Sequence, residues 1–577
     1  MKWPTMPSRR HAPSRLRLRP RLELLEGRQL LTAGLLDTGF GTGGTVALHS
    51  PDSSGSVVAR AMVVYPATDT ANAGKILAAG IITEPNLTTT KANFCLYRFL
   101  PNGSLDTTFG TNGSVTTDFF SQDDLGYAVA FDASGRILVG GDATTLVSTT
   151  VISPTQISNT YRTDFALARY TAAGQPDTDP VNGFGTMIAP GLRSGKVTTQ
   201  FGSGSSIGRA VAVQADGQIL LAGQGYSAAA NTNDFAVARY NPDGTLDPSF
   251  GTGGVANTVI LAGRDYARGM VLQPDGKIVL GGDAFNGADQ DLAVARYNAD
   301  GTLDATFGTG GVMTTAVGVQ GPSGTSALND FGVSPLLDAS GRVVMAGVTT
   351  SSTGATDSVL VRYTPSGVLD ATFGGTGKVV TDLGGNDQGR ALAIQPDGKL
   401  VMVGNASSPA TGIDIAVARF NPNGTLDTTF GTGGKVTTDI SGQDDYVVAV
   451  AVQADGKILA GGASWNYLAL VRYLGDANAP NTTVAPASPA NITIAAVSYS
   501  QINLTWTDPG GTATGYYIER SNDGGTTFTQ IAVVTGSTHF NNTGLSARTR
   551  YYYRIRAFNA YGTSAYSRYV NATTPGK

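Results

Sequence analysis

Between residues 435 and 473 the chain runs through four short apolar bursts. Residues 435–440 alternate apolar and polar positions with the period of a strand. After the polar turn 442–445, residues 446–453 form a second run rich in Val and Ala. Asp455-Gly456 then predicts a hairpin turn, because glycine supplies the positive φ that such turns need. Residues 457–461 and 467–473 complete the set. Four short strands with polar turns predict one small antiparallel sheet, and such a sheet needs neighbours to bury its two faces.

The same plan recurs upstream. A phrase close to Leu-Asp-x-x-Phe-Gly-x-x-Gly appears seven times, centred on Phe40, Phe109, Phe184, Phe250, Phe307, Phe373 and Phe430. Successive spacings are 69, 75, 66, 57, 66 and 57 residues, the size of a repeat architecture. The hairpin turn recurs at Asp216-Gly217, Asp275-Gly276 and Asp397-Gly398. The expectation is an all-β seven-bladed β-propeller over residues 34–475, with residues 435–440 opening the last blade. A solenoid of stacked sheets is the alternative, and ring closure is preferred because it removes exposed edges.

One positive charge recurs in every unit: Arg98, Arg169, Arg239, Arg296, Arg362, Arg419 and Arg472. The Asp of Leu-Asp follows at Asp37, Asp106, Asp247, Asp304, Asp370 and Asp427, with Asp177 a weaker match. No ligand needs seven equal copies of one charge pair. These residues are therefore expected to lock the inter-blade connections rather than form a catalytic site. Length varies most in the segments after the third strand, at 142–163, 224–233, 283–290, 348–357 and 405–413, with 313–332 on the same rim. Two exceptions, 66–73 and 171–195, fall on the opposite rim. The contrast suggests a constant rim and a variable binding rim, with drift in unconstrained loops as the equal alternative.

Composition narrows the function. Apolar residues make up 41% of the 577 and the net charge is only -4, which excludes a disordered chain. Residues 1–33 carry eight basic and two acidic side chains, a net of +6, so the rest sums to about -10. An acidic body argues against nucleic acid as a partner. No run of 18 apolar residues predicts a transmembrane helix. The one cysteine, Cys95, replaces a small alanine of the other repeats and reads as core.

Asn241-Pro-Asp-Gly-Thr-Leu-Asp-Pro-Ser-Phe-Gly251 and Gln273-Pro-Asp-Gly-Lys-Ile278 resemble the delta-60 repeat family. That resemblance implies a β-propeller of bacterial surface or secreted proteins and no established activity. The third unit departs from it, keeping Phe184-Gly185 without Leu-Asp. After a Pro/Ala/Asn/Thr linker at 476–487, residues 488–577 carry Ile502-Asn-Leu-Thr-Trp506 and Leu545-Ser-Ala-Arg-Thr-Arg-Tyr551. These resemble the fibronectin type III pattern, implying a sandwich with Trp506 in the core and Tyr551 at the tyrosine corner. At the other end, Arg19-Pro-Arg-Leu-Glu-Leu-Leu-Glu-Gly-Arg-Gln-Leu-Leu-Thr32 resembles the leader of planctomycete-type exported proteins.

Catalytic chemistry is hard to assemble. His11, His49 and His539 are the only histidines, so no zinc set or histidine-based triad can be named. Asp123-Asp124 and Asp444-Asp445 occupy equivalent turns and read as structure. No cofactor is expected, although Asp-rich loops suit calcium. The reading is an exported cell-surface or extracellular binding and structural protein, monomeric, with a protein or glycan partner and no catalysis. Its rival is a secreted carbohydrate-active enzyme with an accessory sandwich. A unique acidic cluster facing the channel would favour the enzyme.

Overall fold

The computed structural model describes residues 33–49, 55–85, 90–153, 156–227, 231–318, 329–351, 354–476, 486–509, 513, 515–535, 537–559 and 562–576. The basic leader up to residue 32, most of the linker and part of the 313–332 loop lie outside them. The described residues contain strands and no helix.

Residues 45–473 form seven four-stranded antiparallel sheets. The innermost strands are Ser56–Val64, Asp124–Phe131, Ile207–Val213, Asp265–Leu272, Asp330–Leu337, Asp387–Ile394 and Asp445–Val452. Each touches the next in chain order, and the last touches the first again. Asp445–Val452, Ile458–Ser464 and Tyr467–Tyr473 take their fourth strand from the other end of the chain. Thr45–Leu48 pairs with Tyr467–Tyr473, Thr45 opposite Val471.

The expected blade boundary is displaced by one strand. Lys435–Thr438 does not open the last sheet; it pairs with Gly412–Phe420 as the outer strand of the sheet before it. The Leu-Asp-x-x-Phe-Gly phrase is therefore a hairpin loop inside one sheet, not the connection between two. The reason is physical: period and turn chemistry mark where strands lie, but pairing is decided by contacts distant in sequence. A second correction concerns residues 142–163. They form no loop, because Ile137–Ser153 and Gln156–Tyr170 continue as one long paired ribbon. The irregular segment 171–195 holds a short pair, Met187–Ala189 with Leu192–Arg193.

Apolar cores lie between neighbouring sheets. Phe40, Phe109, Phe184, Phe250, Phe307, Phe373 and Phe430 are all fully buried. Cys95 is buried too, among Phe40, Ile76 and Leu459, and burial pushes its thiol pKa up. Close approach explains one repeated glycine: a Cβ on Gly332 would sit 2.1 Å from the Gly282 carbonyl oxygen of the neighbouring sheet.

Residues 490–573 form two further sheets, one of three strands and one of five. Trp506 packs edge-on against Tyr516, ring centroids 5.0 Å apart, in a core with Leu504, Ile518 and Tyr553. The Tyr551 hydroxyl accepts a hydrogen bond from the Ser546 amide at 3.0 Å, beside buried Leu545.

Candidate functional site

Each recurrent arginine meets the aspartate of the loop that follows it. The contacts Arg98–Asp106, Arg169–Asp177, Arg239–Asp247, Arg296–Asp304, Arg362–Asp370 and Arg419–Asp427 are 2.7 to 2.9 Å. Arg472 meets Asp37 at 2.9 Å, across the joined ends of the chain. Asp177, the weaker match in sequence, pairs like the rest. Each guanidinium also lies 4.4 to 4.8 Å from the ring centre of the phenylalanine of its loop. Six of the seven then donate to a backbone carbonyl of the next sheet: Ala172, Pro242, Ala299, Pro365, Pro422 and Pro101. Arg419 differs, donating to Asp476 Oδ1 at 2.8 Å where the chain leaves the last sheet.

Six of these carboxylates, Asp37, Asp106, Asp247, Asp304, Asp370 and Asp427, are held below the usual range. Burial alone would raise the pKa of Asp106. The Thr108 hydroxyl, Lys75 and Arg98 outweigh it and hold the group well below the usual carboxylate range. Asp304 is lowered against the same burial by Thr306, Lys277 and Arg296. A second, opposite set sits at the other rim. Asp124, Asp265, Asp330, Asp387 and Asp445 open the inner strands and are buried. Each accepts a backbone N–H from the preceding connection: Phe119 at 2.6 Å, Ile260 at 2.6 Å, Val317 at 2.6 Å, Leu383 at 2.7 Å and Ile440 at 2.7 Å. The other oxygen of Asp124, Asp265, Asp330 and Asp445 has no hydrogen-bond partner. Burial pushes Asp124 and Asp265 up to about 7 and Asp387 up to about 6.

Two groups at this rim bring three carboxylates within 4.8 Å of one another: Asp357, Asp382 and Asp387, and Asp414, Asp439 and Asp445. In the second group, Oδ1 of Asp414 and Oδ1 of Asp445 are both buried and unpartnered. Three hard oxygens at that separation could hold calcium, whose ligands lie at about 2.3–2.6 Å.

The inner strands show what sequence reasoning passed over. Every inner strand carries a bulge, and the residue stepped over in the register is Arg60, Tyr127, Arg209, Arg268, Arg390 and Val448 in six of them. A bulge turns its extra residue out of the ladder. Here four arginines from four sheets converge. The Arg209 guanidinium lies 4.0 Å from the centre of the Tyr127 ring of the adjacent sheet. Arg268 donates to Asp283 at 2.5 Å and flanks Tyr266 and Phe331. Arg390 donates to Gln388, and its Nε is buried without a partner. Burial, and then the charges of Arg268 and Arg60, lower the Arg390 pKa from its ordinary value; burial and Arg209 do the same to Arg60. Arg390 and Arg268 sit on sheets that are not neighbours, so their charges reach each other across the space between the inner strands. The signal was present in the sequence: Ala59-Arg60-Ala61, Gly208-Arg209-Ala210, Ala267-Arg268-Gly269 and Gly389-Arg390-Ala391 each set one arginine between small residues at the same strand position.

Comparison with known proteins covers both parts of the chain. Residues 74–109, 214–250, 273–307, 339–373, 395–430 and 453–476 match the family model described as a domain of unknown function (DUF5122) β-propeller. Residues 487–573 match the fibronectin type III domain. The stretch around Phe184, which departs from the repeat phrase, lies outside the matched segments. An α-amylase of Niallia circulans is 36% identical over 106 residues, which are 18% of this chain and 8% of that protein. The match thus spans less than a tenth of that relative. The FN5 domain of Drosophila Lar is 24% identical, covering 16% of this chain and 100% of its own, with a TM-score of 0.15. An Fn3-like protein from Clostridium thermocellum is 31% identical, covering 16% and 98%, also with a TM-score of 0.15. The chain carries a DUF5122 β-propeller repeat region and a C-terminal fibronectin type III domain.

Proposed function

We propose that the chain is an exported binding and structural protein, without catalysis. Its seven sheets act as the blades of one closed propeller, with the fibronectin type III domain as spacer or second contact module. Closure is supported by the return contact between the last inner strand and the first, and by Thr45–Leu48 completing the last sheet.

One observation carries the binding role. The lock pair is the same in all seven units, whereas the channel position differs from blade to blade. A position with only a packing role in a repeat tends to repeat. One that breaks the repeat, with charges facing inward, suits recognition of a ligand lacking sevenfold symmetry. The leader resemblance and the fibronectin type III domain support a cell-surface or extracellular location. Asp283 pairs with Arg268, and Asp142 feels the Arg209 charge ahead of that of Asp124, which favours binding over a two-carboxylate hydrolase.

The test is an array of polysaccharides and surface proteins probed with the whole chain, beside fractionation of the producing cells. Saturable binding and recovery from the envelope or medium are expected. A cytosolic protein that binds nothing on the array would overturn the reading.

A further inference from the structure

Resting on that binding role, we infer that the propeller channel takes an acidic glycan, a saccharide bearing carboxylate or sulfate groups, gripped by Arg60, Arg209, Arg268 and Arg390. The positions are fixed by backbone geometry. All four sit at the bulge of an innermost strand, where the ladder cannot absorb the side chain. Among the described residues, only Arg268 of the four forms an ion pair, with Asp283. Arg60 keeps much of its side chain in contact with solvent, although the surrounding inner strands partly desolvate its guanidinium. Arg390 keeps a buried Nε–H with nothing to donate to. Four guanidiniums against the two carboxylates of Asp142 and Asp283 leave a surplus of two positive charges.

Such crowding is unfavourable in the empty channel, since like charges repel and desolvation penalises Arg60 and Arg390. It is repaid when an anion enters. The planar guanidinium fork matches carboxylate and sulfate oxygens with paired N–H donors. The ligand is read as a saccharide because rings lie beside the charges. Tyr266 and Phe331 flank Arg268, and Tyr127 lies under Arg209. Tyr446 occupies the strand position of Tyr266 in the last blade and is 41% exposed. Aromatic faces give apolar sugar faces a surface to rest on, while the arginines read the acid groups. Nucleic acid fits less well, because the chain's net charge is -4 and a phosphate backbone needs a broad basic face.

Calorimetric titration of the full chain would compare an oligogalacturonate, a sulfated heparin oligosaccharide and a neutral cello-oligosaccharide. Binding of one or both acidic probes, weakening as salt rises, and none of the neutral one is expected. Arg60→Gln with Arg390→Gln should weaken that binding by about tenfold or more without lowering the melting temperature. Where that double variant fails to fold, the wild-type chain serves. Phenylglyoxal should label Arg60 and Arg209, read by peptide mass spectrometry, and the bound acidic probe should protect them. Equal affinity for neutral and acidic probes, wild-type affinity in the folded double variant, or labelling unchanged by the probe would each overturn the inference. Binding of a neutral glycan or a protein alone would remove the acidic ligand and leave the binding role standing. Silence across all probes and the array would remove both.

Discussion

The two rims of the repeat region use one residue type in opposite ways. At one, Asp106 and Asp304 each face an arginine, a threonine hydroxyl and a lysine, and their pKa values are driven down. At the other, Asp124 and Asp265 accept backbone N–H groups with one oxygen and nothing with the second, and are driven up to about 7. Both sets are buried, so burial does not decide the sign. The partners do: a threonine hydroxyl and amide, a lysine and an arginine together overcome desolvation, and one or two backbone amides do not. Identical sequence chemistry thus makes a permanent anion at one rim and a titrating group at the other.

The sharpest way to break this comparison is to remove a lock carboxylate. Asp304→Ala leaves Arg296 buried between Phe307 and the next sheet with its charge uncompensated. The expected loss is about 3 kcal/mol or more, seen as a lower denaturation midpoint of the propeller. Asp275→Ala is the control. Its contact with Lys277 is 3.7 Å long and exposed, and should be worth about 0–1 kcal/mol. Equal losses in the two variants would mean that the lock is no lock.

The second test acts at the opposite rim and should have the opposite sign. Asp124 and Asp265 have folded pKa values raised above their unfolded value of about 3.9. The folded protein therefore holds their protons more tightly. The stability they contribute is full below about pH 4 and is lost as pH rises through about 7. Asp106 and Asp304 run the other way, contributing above about pH 4 and losing it as pH falls. Asp124→Asn with Asp265→Asn should raise stability at pH 8, on the order of 1 kcal/mol, and flatten the decline between pH 4 and 8. Denaturant titrations at a series of pH values read both. Calcium sharpens the same contrast at Asp414, Asp439 and Asp445. At pH 8 it should raise the melting temperature, chelator should reverse the gain, and Asp445→Asn should abolish it. A lock variant should keep the calcium response.

Much of the frame was legible in the sequence. Phe430, Arg419 and the Asp397-Gly398 turn are local signals: each states a packing need, a charge or a positive φ at one position. The sandwich was legible for the same reason, through Trp506 and Tyr551. What depended on distant pairing was not. Lys435–Thr438 looks the same whether it opens one sheet or closes another, and only its partner Gly412–Phe420 decides. The channel cluster needed still more. Arg60 and Arg390 lie 330 residues apart in sequence and meet only because the inner strands return on themselves. The acidic rim was half legible. Asp124 and Asp445 were seen as equivalent turn residues, but their unpartnered oxygens appear only once the neighbouring strands are in place.

The smallest effect tests whether charge is what separates the rims. Beside each lock arginine stands an aromatic residue whose hydroxyl, in four units, reaches the outer strand of the preceding sheet. Tyr170 meets Thr117 at 2.6 Å, Tyr240 meets Thr199 at 2.7 Å, and Tyr363 and Tyr473 meet Thr315 and Thr438 at 2.8 Å. These bonds span the same junctions as the arginines but carry no charge, and burial pushes the phenol pKa values further up. Tyr240→Phe leaves the ring in place and strips one neutral hydrogen bond, so it should cost about 1 kcal/mol. Because neither partner titrates, that cost should be the same at pH 4 and pH 8. A cost that changes with pH would mean that the tyrosine is coupled to the nearby carboxylates, and the division of the rims by charge alone would not hold.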